Sequence, residues 1–301
     1  MLGILGLPRN EAGASSIRHD VKKRKSVVAE AYRIYKLGDG TPAGKKKRED
    51  AAAEFRRDFS WPVHVNSAAA RAPYFIGVWD TVRSLGIPLG YRDWELSIWP
   101  HRFHDHDLNK HVRYGYHALA LDDRRHAFHP TIWNEPTLAQ CAKPEENIVQ
   151  TFEQVWFPGA HADVGGGYAD RGLADVTLNW MIERCASAQE PLLLEDKPIV
   201  AVKDAGLGKI HDSRSGLWRK IAYRELPRQI VKGKQEPDEK KITPSNMPAD
   251  LNQSWLNRMS AFFPARYNPG HMDPHPDYRT ATEQLTNGSK PPPGPWKAVR
   301  P

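Results

Sequence analysis

The sequence predicts an α/β fold built on a mostly parallel sheet, and three observations predict it. An uninterrupted apolar run at 74–79 stops at Asp80, which is typical of a short strand covered on both faces. A second strand is predicted at 151–157, where alternating residues give way to an apolar end. A helix predicted at 173–188 follows this strand after a glycine-rich segment. Strand, loop and helix in this order form the repeating unit of an α/β protein.

An amphipathic helix is predicted at 15–37, ahead of the first strand. Its apolar positions recur at steps of three, four and seven, with a serine as the N-cap: Ile17, Val21, Val28, Ala31 and Tyr35, capped by Ser15 or Ser16. Basic runs at 22–25 and 45–48 lie on either side of a flexible link at 38–42. Such runs bind phosphate or act as nuclear addresses in some proteins, but solvated helix faces produce them more often. We therefore expect them to form exposed helix surface.

The central part of the chain is predicted to contain one more helix and an irregular loop. A helix at 111–125 would turn four residues inward: Val112, Tyr116, Leu119 and Ala120. The segment 161–168 contains three successive glycines and is expected to be a loop without regular structure. An edge strand is expected at 198–203. Leu173 to Ala188 would bury Val176, Trp180 and either Ile182 or Met181.

Three parts of the chain differ in composition. Residues 1–71 are helical and basic, residues 72–230 hold the predicted α/β elements, and residues 231–301 are rich in loop-forming residues. We expect the last part to be partly disordered, with a short helix near 252–262.

Composition excludes several classes of protein. With 301 residues, of which 40% are hydrophobic, the chain is long enough to bury a core. The formal net charge of +7 suits an acidic partner without identifying one. Only two cysteines are present, Cys141 and Cys185, which excludes a disulfide framework and a thiolate zinc site. No apolar run approaches the roughly 18 residues of a membrane span, and no signal peptide is recognisable.

Asp80 and His161 are the residues best placed for chemistry. Each follows the end of a predicted strand, and catalytic groups of open α/β sheets collect at the carboxyl ends of strands. An aspartate there holds an imidazole in one tautomer, and the imidazole then removes a proton from a hydroxyl nucleophile. Taken alone, the same residues also fit a turn cap and a histidine bonded to nearby backbone.

Other polar clusters support weaker hypotheses. The densest group of residues that can bind a metal is His101, His104, Asp105, His106, Asp107 and His111. Their spacing fits no zinc motif, and a polar loop explains them equally well. Ser213 and Ser215 could in principle serve as the hydroxyl nucleophile for Asp80 and His161, but a plain loop or a helix cap also explains them. The three glycines precede no Lys-Ser or Lys-Thr pair, so a phosphate loop is disfavoured. We expect no metal site and no cofactor.

Several blocks occur in an order that resembles a known family. They lie at 76–82, 118–125 and 155–168, and further blocks lie at 178–181, 210–213 and 252–259. Together they resemble the α/β-hydrolase family that includes the type VI secretion phospholipase effectors, over about 72–270. The resemblance implies that Asp80 is the acid and His161 the base of a catalytic triad. It also implies ester hydrolysis of phospholipids in intact relatives.

The family's Gly-x-Ser-x-Gly nucleophile elbow is absent from this sequence. By resemblance, Met1–Pro8 matches the stretch that follows the elbow helix, so 72–230 would be the C-terminal part of the catalytic domain. We therefore expect a partial, three-layer α/β-hydrolase-like fold whose sheet lacks its N-terminal strands. An acid and a base without an activated hydroxyl cannot form an acyl-enzyme, so we expect the chain to be inactive alone.

Two functional hypotheses follow. The first is a lipase-like hydrolase fragment whose substrate is a phospholipid or another ester. An upstream fragment or an oligomer partner would complete it, and peripheral contact with a membrane is possible in this hypothesis. The alternative is a non-catalytic protein on a degenerate hydrolase scaffold that engages an anionic surface, lipid or nucleic acid, through its basic helices. We expect no sequence-specific nucleic acid binding, and the cytoplasm is the default location.

Overall fold

The computed structural model describes residues 2–8, 20–37, 41–82, 108–109, 111–125, 128–133, 142–143, 148–194, 207–215, 225, 228 and 250–251. The chain divides into two compact units. The first comprises Met1–Ile76, Asp107–Gly115 and Glu135–Thr151, and the second comprises Gly77–His106, Tyr116–Asn134 and Phe152–Pro301. Each unit is described in turn.

Helices dominate the first unit. They are α1 (Leu2–Leu5), α2 (Val21–Tyr35), α3 (Pro42–Phe59), α4 (Pro62–Asn66) and α5 (Ala68–Arg71). Helices α1, α2 and α3 share a core that consists of Leu5, Val27, Ala31, Ile34, Ala52 and Phe55. Arg56 is buried beside this core and donates to the carbonyl oxygen of Ile4 at 2.6 Å and to Glu49 at 2.6 Å. The buried guanidinium thus satisfies part of the end of α1.

Helix α2 corrects the predicted helix at 15–37. It begins at Val21, because the Asp20 carboxylate accepts hydrogen bonds from the Lys22 and Lys23 amides and caps the first turn. The predicted caps Ser15 and Ser16, and Ile17, lie outside the described residues. The inward face consists of Val27, Ala31 and Ile34. Val21 and Val28, expected on that face, are about half exposed.

Helix α3 carries the second basic run. Thr41 caps it through a hydrogen bond from the Gly44 amide at 3.0 Å, and Pro42 occupies the first turn, where its missing N–H costs nothing. The predicted link therefore ends at Thr41, and residues 38–40 lie outside the described residues. Lys45, Lys46 and Lys47 are exposed, as expected for a solvated helix face.

The sheet strands are β1 (Phe75–Trp79), β2 (Tyr114–Ala120), β5 (Thr151–Phe157) and the two-residue β6 (Asp250–Leu251), in the order β1-β2-β5-β6. Strands β3 (Ala142–Lys143) and β4 (Ile148–Val149) form a separate antiparallel pair. Main-chain hydrogen bonds join Tyr114 to Tyr74 and Asp80 to Ala118, so β1 and β2 run parallel. Those between Thr151 and Arg113 and between Leu121 and Phe157 make β2 and β5 parallel as well. The predicted α/β class and both predicted strands are confirmed.

The helix predicted at 111–125 is wrong, because Tyr114–Ala120 forms the central strand β2. The residues expected to face inward are buried nonetheless: Val112, Tyr116, Leu119 and Ala120. A strand that lies between two others and is covered on both faces is apolar at nearly every position, so its periodicity does not distinguish it from a buried helix. His117 interrupts the run and is itself fully buried.

Two helices follow β5 in the second unit. Helix α6 (His161–Gly165) replaces the irregular loop predicted at 161–168, which is therefore partly wrong. Gly166 and Gly167, at φ +83° and +129°, end it in a conformation that favours glycine. Helix α7 (Gly172–Ala186) confirms the helix predicted after the glycines. Its Trp180 packs edge-on against Tyr116 of β2 and Phe157 of β5, at ring distances of 5.9 and 5.4 Å.

Some predictions fall outside the described residues. They are the edge strand at 198–203, the loop-rich tail at 231–301 apart from Asp250 and Leu251, and the short helix near 252–262 within that tail. The division into 1–71, 72–230 and 231–301 stays a prediction.

Candidate active site

Asp80 lies directly after β1 and is fully buried. Its backbone adopts φ +43°, which is uncommon for a residue with a side chain. The Asp80 amide donates to the Ala118 carbonyl of β2 at 2.7 Å, which holds the turn in this conformation. The carboxylate is thereby directed across the end of β2.

His161 is the first residue of α6, just after β5. Its Nδ1 lies 2.6 Å from Oδ2 of Asp80, so the two residues meet across the end of the intervening strand β2. The His161 side chain is 32% exposed, while that of Asp80 is 0% exposed. One side of the imidazole is therefore held by a buried group, and the ring still reaches solvent.

Several donors surround the Asp80 carboxylate. The Ala120 amide donates to Oδ1 at 2.9 Å, and the buried Arg228 donates to Oδ1 at 2.7 Å and to Oδ2 at 2.9 Å. Burial by itself would raise the pKa of Asp80, but the Arg228 charge and the hydrogen bonds from His161 and Arg228 hold this pKa well below its usual range. Asp80 is therefore an ionised acceptor, and Nδ1 of His161 carries the proton between them. In the neutral ring, Nε2 is then the basic nitrogen.

A second carboxylate supports the backbone of His161. Asp123 is fully buried and accepts from the His161 amide at 3.1 Å. Arg125 donates to both oxygens of Asp123, at 3.1 and 2.7 Å. Burial would raise the pKa of Asp123, but the hydrogen bonds from Arg125 and the nearby Arg228 charge lower it. The Arg125 guanidinium also lies over the Phe128 ring, which meets the His161 ring edge-on at 5.3 Å.

Another histidine–aspartate pair lies beside the first. Asp163 of α6 accepts from Nδ1 of His211 at 2.6 Å, from the His211 amide at 3.0 Å and from the Ala160 amide at 2.9 Å. Tyr168 stacks on the His211 ring at 3.9 Å. Because Asp163 ties the first turn of α6 to the segment around His211, this pair supports the turn that carries His161.

His117 of β2 supports the turn after Asp80. The Thr81 amide donates to Nε2 of His117 at 3.2 Å, which requires this nitrogen to be unprotonated. Burial lowers the pKa of His117 to about 4. A neutral imidazole is therefore part of the framework that holds Asp80.

The weaker site hypotheses stay predictions. No group of three or more His, Cys, Asp or Glu side chains that could hold a metal ion occurs among them. His101, His104, Asp105, His106, Asp107 and Cys141 lie outside the described residues, and Cys185 is a free thiol. Ser213 is buried two residues after His211, and its role as a nucleophile stays a prediction.

Sequence reasoning named Asp80 and His161 but missed most of their surroundings. Asp123, Asp163 and His211 lie within blocks that resemble the family, yet their partners could not be read from the sequence. Arg228 gave no signal at all, because it lies 148 residues from Asp80 in a segment without a motif. Only the folded chain shows that this arginine contacts the candidate acid.

Comparison with known protein families gave one match. The model of the catalytic domain of type VI secretion, Tle1-like phospholipase effectors matches residues 16–184, which is more than half of the chain and includes Asp80 and His161. Neither the curated proteins nor the solved structures gave a match. Among the described residues, no helix is both long and apolar enough to cross a membrane. The chain belongs to the Tle1-like phospholipase effector family of type VI secretion.

Proposed function

We propose that Asp80 and His161 are the acid and base of a phospholipase active site that cleaves phospholipid esters. The observation that carries this proposal is the 2.6 Å contact between the buried Asp80 carboxylate and the partly exposed His161 imidazole. Nε2 of His161 would take the proton of a serine hydroxyl while the serine oxygen attacks the ester carbonyl. Asp80 would stabilise the imidazolium, which then returns the proton to the leaving alcohol.

We propose that the nucleophile of this reaction comes from outside this sequence. The 301 residues contain no Gly-x-Ser-x-Gly sequence, and the oxyanion donor next to such a serine is absent with it. We propose that the chain by itself does not form an acyl-enzyme. A segment that carries the serine would complete the site.

Serine labelling tests the proposal that the chain by itself does not form an acyl-enzyme. The purified chain is treated with a fluorophosphonate probe, and mass spectrometry locates any adduct. We expect no labelled serine. A stoichiometric adduct on Ser213, Ser215 or another serine would show that the chain holds its own nucleophile.

Reconstitution tests the roles of Asp80 and His161. The serine-bearing segment of a family member is fused ahead of Met1, and fatty acid release from phospholipid vesicles is measured. We expect hydrolysis that His161→Ala and Asp80→Asn reduce by at least about 10³-fold in variants whose circular dichroism shows that they are folded. His211→Ala is the comparison, because His211 has the same 2.6 Å contact with a buried aspartate but affects His161 only through the turn that both support, so we expect a much smaller loss. Equal losses in the His161 and His211 variants would contradict the assignment.

A second candidate function is binding to an anionic lipid surface, and one exposed feature of the first unit favours it. Helix α2 presents Val21, Lys25, Val28 and Tyr32 to solvent at spacings of four, three and four, which places them on one face. Lys36 lies over the Tyr32 ring at 4.4 Å. We call the four residues Val21, Lys25, Val28 and Tyr32 the α2 stripe. Apolar and basic side chains on one exposed helix face suit the boundary between lipid headgroups and acyl chains.

Vesicle sedimentation tests this second function. We expect the chain to bind vesicles that contain phosphatidylserine and to release them as salt rises, because counterions screen the attraction. His161→Ala should bind equally well. Equal binding to zwitterionic phosphatidylcholine vesicles, which have no net charge, would show that charge does not drive the association. Tighter binding to duplex DNA would assign the basic helices to nucleic acid instead.

A further inference from the structure

Arg228 is fully buried and donates to groups around the candidate acid. Its two terminal nitrogens bind the two oxygens of Asp80, one nitrogen each. The same nitrogens also donate to the carbonyl oxygens of Ala120 and Phe128. The guanidinium therefore joins the end of β2, the residue Phe128 and the Asp80 turn.

This arrangement restricts how the Asp80 carboxylate can rotate. A planar guanidinium that binds both carboxylate oxygens fixes the plane of the carboxylate as well as its position. The Ala120 amide adds a further donor to Oδ1 at 2.9 Å. Oδ2 accepts from Arg228 and faces Nδ1 of His161, so its direction toward the imidazole is set on two sides.

We propose that Arg228 is a positioning residue of this site, whose guanidinium locks Asp80 in the orientation in which Oδ2 accepts the Nδ1 proton of His161. The inference rests on the proposed roles of Asp80 and His161. In this role Arg228 acts on the imidazole through Asp80. Without this cation, the buried carboxylate must either take up a proton or draw a second proton onto the imidazole, whose positive charge then becomes its ion-pair partner. Both outcomes remove the arrangement in which Nδ1 is protonated and Nε2 is free to act as a base.

Nitrogen NMR of the histidine rings tests this role without any hydrolysis assay. The full chain is labelled with ¹⁵N, and long-range ¹H–¹⁵N spectra at pH 8 assign each ring nitrogen as protonated or unprotonated. His161→Ala and His211→Ala identify the two signals. In the unsubstituted chain we expect a protonated Nδ1 and an unprotonated Nε2 for His161. If that pattern is already missing there, the proposed function fails before Arg228 is in question.

Arg228→Met should abolish this pattern for His161 and replace it with averaged or doubly protonated nitrogens. The His211 ring is the internal control, because its partner is Asp163 and it should keep its signals if the chain is folded. A folded Arg228→Met chain with an unchanged His161 pattern would overturn the proposal.

Arg228→Lys separates the orientation of the Asp80 carboxylate from the positive charge beside it. This variant tests the positioning role even if Arg228→Met does not fold. Lysine keeps the positive charge but cannot bind both carboxylate oxygens in a plane. We expect the His161 pattern to persist while its Nδ1 proton exchanges with solvent at least about tenfold faster, since a charge-assisted hydrogen bond contributes on that order. Unchanged exchange in Arg228→Lys would show that charge alone suffices and would refute a positioning role.

Discussion

Asp80 combines three features that rarely occur in one residue: full burial, a positive φ of +43° and a carboxylate held by a buried arginine. Backbone in this region costs free energy for a residue with a side chain, and it persists only where the surroundings compensate. The compensation here is visible as hydrogen bonds to Ala118, Ala120 and Arg228. Strain of this kind is typical of functional sites.

Asp80→Asn should strongly destabilise the protein. The substitution leaves the Arg228 charge buried without its counter-ion, and breaking such a buried pair costs about 3–5 kcal/mol. Urea unfolding measures the loss. Asp175→Asn is the control, because its partner Arg171 is mostly exposed and little stability should be lost there. A small loss of unfolding free energy in Asp80→Asn would mean that the buried Arg228 charge does not depend on the charge of Asp80.

The stability of the protein should also depend on pH through His117. Its folded pKa of about 4 lies below its ordinary value of 6.5, so the unfolded chain binds the proton more readily. Burial of neutral His117 therefore makes the free energy of unfolding depend on pH. The full stability is present above pH 6.5, and roughly 3 kcal/mol of it is lost as pH falls toward 4. Unfolding curves between about pH 4 and pH 7 measure it. In His117→Gln, this part of the change in unfolding free energy with pH should disappear. An unchanged pH dependence would show that His117 is not its source.

At the scale of elements, the site depends on how β5 passes into α6. Gly159 stands between them at φ +121°, and a Cβ there would come within 2.6 Å of the Asp163 Cβ. Asp163 in turn holds the Ala160 amide and His211. The glycine therefore permits the close approach that brings His161 to its place.

Gly159→Ala should destabilise the turn by more than ~1 kcal/mol, because a side chain is disfavoured at this φ and meets Asp163. Gly166→Ala is the matched control. It also has a positive φ, +83°, but a Cβ added there would meet no atom within 4 Å, so only backbone strain applies. Thermal unfolding compares the two. A larger loss in Gly166→Ala would show that the contact with Asp163 is tolerated.

At the scale of the whole molecule, the net charge of +7 is spread unevenly, with the two basic runs both on helices of the first unit. If the α2 stripe meets the lipid surface, its apolar residues should matter more than exposed apolar residues elsewhere. Val28→Glu should weaken binding to phosphatidylserine vesicles about fivefold or more, since one charge at an anionic surface contributes ~1 kcal/mol. Sedimentation at constant low salt measures the change.

Val63→Glu on α4 provides the comparison for this substitution. Val63 is 62% exposed, slightly more than Val28 at 52%, but lies outside the α2 stripe. We expect a smaller loss of binding. Equal losses would mean that net charge, rather than the α2 stripe, determines association.

The sequence by itself predicted the α/β class, the strands that become β1 and β5, and helix α7, because apolar runs and glycine placement are properties of neighbouring residues. Asp80 and His161 follow the ends of these two strands, and the order of the family-like blocks made them the candidate pair. Tertiary structure decided that Tyr114–Ala120 is the central strand, since a fully covered strand and a buried helix share the same apolar pattern. It also decided that Val21 and Val28 face solvent and that Arg228 binds Asp80. Burial and long-range ion pairs depend on which segments meet in space, and no local pattern encodes that meeting.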